Sequence, residues 1–215
     1  IWFSAQGGKI SAYKNGVFTD FTNESGIFSE RVFEDTHGTI YFQTPEGLFI
    51  VRDGKREILS PQNNFINTKI QTILEDREGA IWFGSMNGAS RYKNGDFTTY
   101  SNKDGLSNDN VRDIYQDRDG VLWFGTYGGG LNRFKDGKFF PITTREGMNE
   151  DIISRIIVDE KDNFWMLGNR GVSVISRSAL NDLSDGKIKT IACASYGVSD
   201  GMLNSEGNGG NSPAG

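Results

Sequence analysis

The run VRDIYQ, Val111 to Gln116, is short and rich in apolar residues, gives way to the turn residues DRDG, and resumes as VLWFGT, dense in aromatic and β-branched side chains. After a glycine loop come LNRF, then KDG, then KFFPIT. Short runs of this composition bounded by Gly, Asp and Asn read as strands. Asp136-Gly137 is a strong hairpin signal, because both central residues of such a turn must tolerate positive φ. Pro141 fits an outermost strand, whose free edge needs no N–H at that point. The unit is thus a four-stranded antiparallel meander.

The same unit recurs. IWFSAQGGKISAYKNG at Trp2, IYFQTPEGLFIVRDG at Tyr41, IWFGSMNGASRYKNG at Trp82, VLWFGTYGGGLNRFKDG at Trp123 and FWMLGNRGVSVIS at Trp165 are separated by 39, 41, 41 and 42 residues. The third turn repeats as Asn15-Gly16, Asp53-Gly54, Asn94-Gly95, Asp136-Gly137 and Asp185-Gly186, and the first as His37-Gly38, Glu78-Gly79, Asp119-Gly120 and Asp162-Asn163. Four strands per period of about 41 residues define the blade of an all-β propeller. One short helix is predicted at SRSALNDLS, residues 176–184, ahead of the last outer strand. The three glycines 128–130 raise the question of a phosphate cradle. Aligned on the following strand, Gly130 corresponds to Gly47, Gly88 and Gly171, and no helix follows to offer its N-terminus, so a left-handed turn is expected instead.

The period DGLSNDNVRDIYQDRDGVLWFGTYGGGLNRFKDGKFFPIT resembles the two-component regulator propeller repeat of bacterial sensor histidine kinases, hybrid kinases and related signalling proteins, and the tail SYGVSDGMLNSEGNGGNSPAG resembles the segment such sensors carry near the end of the propeller. The resemblance implies a periplasmic ring of about seven blades in the parent, followed by a small β-sandwich, a transmembrane helix and a kinase or other output module. About five blades are expected in this chain, with repeats near 1–39, 40–80, 81–121, 122–163 and 164–215, forming one propeller region. The second is degenerate, with Tyr41 for Trp and SPQNNF (60–65) where others read like NKDGLS; the first lacks its inner strand. An open arc cut from a larger ring accounts for both ends. The alternative is that NGGNSPAG (208–215) supplies the missing strand and closes a five-bladed ring.

Composition narrows the function. At 215 residues a single domain is the default. The net charge of -5 and the lack of any Lys/Arg run longer than a pair argue against direct nucleic-acid binding or adhesion to an anionic membrane. Cys193 is the only cysteine, which excludes an internal disulfide or a Cys-based metal cluster. No stretch approaches the roughly 18 apolar residues of a membrane span. The opening IWFSA reads as the middle of a strand, so a longer parent is expected.

Catalytic chemistry would rest on His37, the single histidine, which sits in a turn; streptogramin-lyase propellers resemble this architecture and need a catalytic His. Asp35, Asp76, Asp117 and Asp159 recur once per blade, where a carboxylate accepts bonds from turn N–H groups more readily than it joins a metal site. The Trp anchors are expected to pack between blades. A ligand site requires residues that differ from blade to blade at one geometric position. After the second strand those are Gln6, Pro45, Met86, Tyr127 and Asn169, with Asn87 and Arg170 beside them. They share a face with the long polar connections between blades, where Asn108, Asp109, Asn110 and Arg112 lead into an inner strand. The expected function is non-enzymatic and cofactor-free: sensing of a small molecule, with carbohydrate the class suggested by the resemblance and the amide-rich loops. The alternative is a scaffold whose face docks a protein partner or a second copy.

Overall fold

The structure, a computed structural model, describes residues 2–5, 9–20, 32–44, 47–53, 55–59 and 69–206. Its strands form five antiparallel meanders in chain order. The first blade holds β1 (Trp2–Ala5), β2 (Lys9–Lys14) and β3 (Val17–Asp20), and the second β4 (Val32–Glu34), β5 (Ile40–Thr44), β6 (Gly47–Arg52) and β7 (Lys55–Leu59). The third holds β8 (Ile70–Glu75), β9 (Ile81–Ser85), β10 (Gly88–Lys93) and β11 (Asp96–Tyr100). The fourth holds β12 (Val111–Gln116), β13 (Leu122–Thr126), β14 (Leu131–Lys135) and β15 (Lys138–Ile142). The fifth has β16 (Arg155–Val158), β17 (Asn163–Gly168) and β18 (Gly171–Ser176), then helix α1 (Arg177–Ser184), then β19 (Ala194–Tyr196) as its outer strand. Among the described residues the first blade has three strands, and Pro141 lies on an outer strand opposite Asn132.

The turn chemistry explains the register. Asn15, Asp53, Asn94 and Asp136 all take positive φ, between 51° and 55°, as the hairpin turn demands. Asp185-Gly186 departs from this series. Asp185, at φ -85°, is the C-cap of α1, so the pair ends the inserted helix rather than closing a hairpin. The fifth first turn is also displaced by one residue from the sequence alignment: Asp162, at φ 64°, occupies the left-handed position held by Gly38, Gly79 and Gly120. An Asp tolerates that conformation better than most residues, and Arg118 and Arg177 hold its carboxylate at 2.7 and 3.1 Å.

The triple glycine is a turn. Gly130 is left-handed, and a Cβ there would collide with the Ile142 carbonyl oxygen; one on Gly129 would lie 2.7 Å from Asn108 Cβ. The Gly128 and Gly130 N–H groups donate to the Asp151 carbonyl at 2.9 and 2.8 Å. The glycines thus let this loop pass against the neighbouring connections, and those donors are already used.

Between blades the core is aromatic. Trp82 is buried against Phe124 and Phe134, both ring centroids at 5.5 Å, and Trp123 meets Phe164 at 5.0 Å. Inner strands of successive blades abut, β8 with β12 and β12 with β16. The Trp2 side chain, residues 60–65 and residues 208–215 lie outside the described residues.

Candidate functional site

The recurring aspartates are structural. Oδ1 of Asp117 accepts from the N–H groups of Asp119 and Val121 at 2.9 and 3.0 Å, while Oδ2 accepts from Trp123 Nε1 at 3.0 Å. The same clasp, aspartate to an aromatic six residues on, joins Asp76 to Trp82 and Asp159 to Trp165 at 2.8 and 2.9 Å. In the second blade the Tyr41 hydroxyl replaces the indole and donates to Asp35 at 3.0 Å. The bonds at Asp159, led by that from Trp165, hold its carboxyl down at about 2. Among the described residues no cluster of His, Cys, Asp and Glu is arranged to hold a metal ion.

The antiparallel meanders put the β13–β14 loop and the connections between blades at one end of each blade, and the clasped turns and hairpins at the other. The loop end of the fourth and fifth blades gathers most of the predicted site. Each connection is stiffened by a 3-10 turn with a capping box: Ser101 with Asp104, and Thr143 with Glu146, each closed by a left-handed glycine. Asp109 accepts from Asn102 N at 2.7 Å, and Asn108 from Asn110 N at 2.8 Å. Asn110 accepts from Gln71 Nε2 of the preceding blade at 2.6 Å. Arg112 is the bulged residue where β12 slips register against β13, and its guanidinium lies 4.7 Å over the ring of Tyr127. Tyr127 and Met86 are both solvent-exposed, at 40% and 51%. Asn87 is exposed beside Met86. Asn169 and Arg170 offer their N–H groups to the Glu150 carboxylate at 2.9 and 2.8 Å. Gln6 and Pro45 lie outside the described residues.

Several residues of this end escaped the sequence reading. Glu150, nearly buried, stands 42 residues after Asn108 and caps a whole loop rather than one N–H. Thr72, Asp113 and Arg155 occupy one repeat position and form a chain across three blades: Thr72 Oγ1 and Arg155 Nη1 both meet Asp113 Oδ1 at 3.2 Å, and Ile156 N donates to Oδ2 at 2.8 Å. Burial outweighs these partners and pushes the Asp113 carboxyl up. The repeat alignment itself carried the signal, since three polar residues of different charge occupy one inner-strand position.

A cavity of about 640 Å³ opens at the other end, between the second and third blades, lined among others by Asp35, Tyr41, Arg52, Glu57, Tyr92 and Asn94. Tyr41, which lines it, stands where the next seam has Trp82. Tyr41 and Tyr92 are 6.4 Å apart, against 5.5 Å for Trp82 and Phe134. His37 is on its rim, with an 80% exposed side chain and Nδ1 3.9 Å from Glu75 Oε1.

Residues 64–87 and 105–128 match the family model described as two component regulator propeller, so these two segments are similar to repeats of that type. Among solved structures, the extracellular domain of the hybrid two-component system BT3049 of B. thetaiotaomicron superposes with a TM-score of 0.73 at 22% identity, over 95% of this chain and 28% of that one. PorZ, a surface component of the type-IX secretion system of Porphyromonas gingivalis, gives 0.67 at 13% identity over 95% and 33%. Virginiamycin B lyase of Staphylococcus aureus gives 0.64 at 17% identity over 91% and 65%. The chain therefore spans only about a quarter of the first of these. The likeness establishes the propeller fold. No match was found among curated proteins. Among the described residues no helix is long and apolar enough to cross a membrane.

Proposed function

We propose that the chain is the ligand-sensing propeller region of a two-component signalling protein, facing the periplasm or cell exterior and taking a small polar molecule, a carbohydrate by preference, on the loop end of its fourth and fifth blades. One observation carries this reading. The clasped aspartates and aromatics repeat from blade to blade, whereas Met86, Tyr127 and Asn169 differ at one position, on loops at the same end as connections stiffened by capped 3-10 turns. A rigid scaffold with one asymmetric, partly exposed face is how binding sites on repeat folds are built. The resemblance to extracellular sensor domains supports the same role. A ligand here acts by favouring one arrangement of the propeller against the β-sandwich, membrane and kinase parts of a longer parent. Catalysis is not part of this reading, because His37 sits on an open turn at the opposite end.

The second reading is a docking surface for a protein partner or a second copy, favoured by the exposure of Met86 and Tyr127 on the same face. A thermal-shift screen of mono- and oligosaccharides separates the two. A ligand at about 100 times its dissociation constant adds roughly 2.7 kcal/mol of stability. The sensor reading expects one compound class to raise the melt of the wild type and to lose that effect in Asn108→Ala and Tyr127→Ala. No shift from any compound, or a shift that survives both variants, contradicts it.

A further inference from the structure

The loop end holds an arginine that the fold aims and leaves unsatisfied. Gln71 and Arg112 occupy the same repeat position, each the extra residue where an inner strand slips register against its neighbour. A bulge turns its side chain out of the ladder. In the third blade that side chain is satisfied: Gln71 Nε2 donates to Asn110 Oδ1 at 2.6 Å and to the Val111 carbonyl at 3.2 Å. In the fourth blade the longer Arg112 lies on Tyr127 instead, and its Nε–H is shielded from solvent with no hydrogen-bond partner among the described residues. A buried guanidinium N–H without an acceptor is costly and uncommon in a folded protein.

Among the described residues no carboxylate of this end forms an ion pair with it. Asp109 is turned onto Asn102 N, Glu150 onto the N–H groups of Asn169 and Arg170, and Asp151 onto Thr144 N and Oγ1. Asp113 is taken by Arg155, Thr72 and Ile156. Arg155, on the next inner strand and paired with Asp113 through Nη1, also has no partner for its Nε–H among the described residues. Arg170 is exposed and forms no ion pair among the described residues.

From this arrangement, and resting on the reading of this end as a ligand site, we infer that Arg112 is the anchor for a carboxylate on the ligand, with Tyr127 holding the guanidinium flat and the exposed Arg170 adding positive charge to the same end. A planar guanidinium presents a paired N–H fork to a carboxylate, and a stacking ring fixes that fork in advance. The class of ligand is therefore an acid: a uronic-acid saccharide or a free organic acid.

The test is titration calorimetry of the full chain with an oligogalacturonide, its methyl ester, the corresponding neutral oligosaccharide and succinate, at low and high salt. Binding of the oligogalacturonide or of succinate, at least about tenfold tighter than the ester, weakened by salt and lost in Arg112→Gln but partly kept in Arg112→Lys, is the expected result. Succinate binding without oligogalacturonide binding assigns the carboxylate to a free acid. Equal binding of acid and ester by the wild type overturns the inference without any variant, as does an Arg112→Gln chain that melts cooperatively and binds the acid unchanged. If the neutral oligosaccharide alone binds, and loses affinity in Tyr127→Ala, the sensor reading stands and the carboxylate anchor falls. If none of the four compounds binds, the anchor falls, and the carbohydrate screen then decides the sensor reading.

Discussion

Removing the carboxylate of Asp117 tests whether the clasp sustains the blade. Asp117 is 1% exposed and Trp123 fully buried. In Asp117→Ala three hydrogen-bond donors lose their acceptor, Trp123 Nε1, Val121 N and Asp119 N, while Arg177, 3.6 Å away, loses one of three carboxylate partners and keeps Asp119 and Asp162. The Asp119 N–H lies on an exposed turn and is rehydrated, so it contributes little. The other two are buried, and each orphaned donor costs about 1–3 kcal/mol. Relief of the burial cost of the carboxylate itself offsets part of this. The net expectation is about 3 kcal/mol, with Asp117→Asn losing about half because its amide oxygen still accepts. Urea unfolding followed by tryptophan fluorescence and circular dichroism measures it. A loss below about 1 kcal/mol in Asp117→Ala, the range of an ordinary surface substitution, refutes the reasoning.

Tyr41→Trp exchanges the hydroxyl for an indole in the clasp to Asp35 and fills part of the cavity beside it, so it raises the melting temperature by an amount corresponding to about 0.5–2 kcal/mol; a fall in melting temperature shows the cavity is not free to be filled. Gly130→Ala, left-handed and against the Ile142 carbonyl, costs more than about 2 kcal/mol, while Gly137→Ala, with open space around its Cα, costs about 1; equal losses would show that the close approach is irrelevant. The Asp159 carboxyl is depressed from 3.8 to about 2, so its stabilisation is complete above 3.8 and lost as pH falls through 2. The stability gap between wild type and Asp159→Asn must narrow on acidification through that window, and a constant gap contradicts it. Asp113 has the opposite sign. Its raised carboxyl binds a proton more readily folded than unfolded, so its contribution falls as pH rises above 3.8, and Asp113→Asn gains on the wild type over that range in the same melts.

Sequence patterning reached the fold because the information lies in local chemistry repeated many times. Asn-Gly and Asp-Gly pairs force the hairpins, and a Trp or Tyr at fixed spacing marks each second strand. Where it slipped, another local demand had intervened: the helix inserted after β18 took Asp185-Gly186 for its own C-terminus, and Asp162 accepted a conformation that glycine holds elsewhere. The site was less legible. That Asn108, Tyr127 and Arg112 share one end followed from the meander, but the stacking of Arg112 on Tyr127 depends on a register slip that no residue type announces. The clasp was half legible. Turn N–H groups were the expected partners of each recurring Asp, whereas the indole six residues on becomes a partner only once the strand brings it back over the turn.

On the proposed function, the loop end of the fourth and fifth blades, and not the cavity at the other end, receives the ligand. Amide hydrogen exchange of the chain with and without the compound that raises its melt tests this most directly. Added protection is expected to concentrate in residues 108–112, 127–130 and 169–170. Protection concentrated in residues 35–39, 52–57 and 92–95, around the cavity that contains Tyr41 and His37, would contradict it.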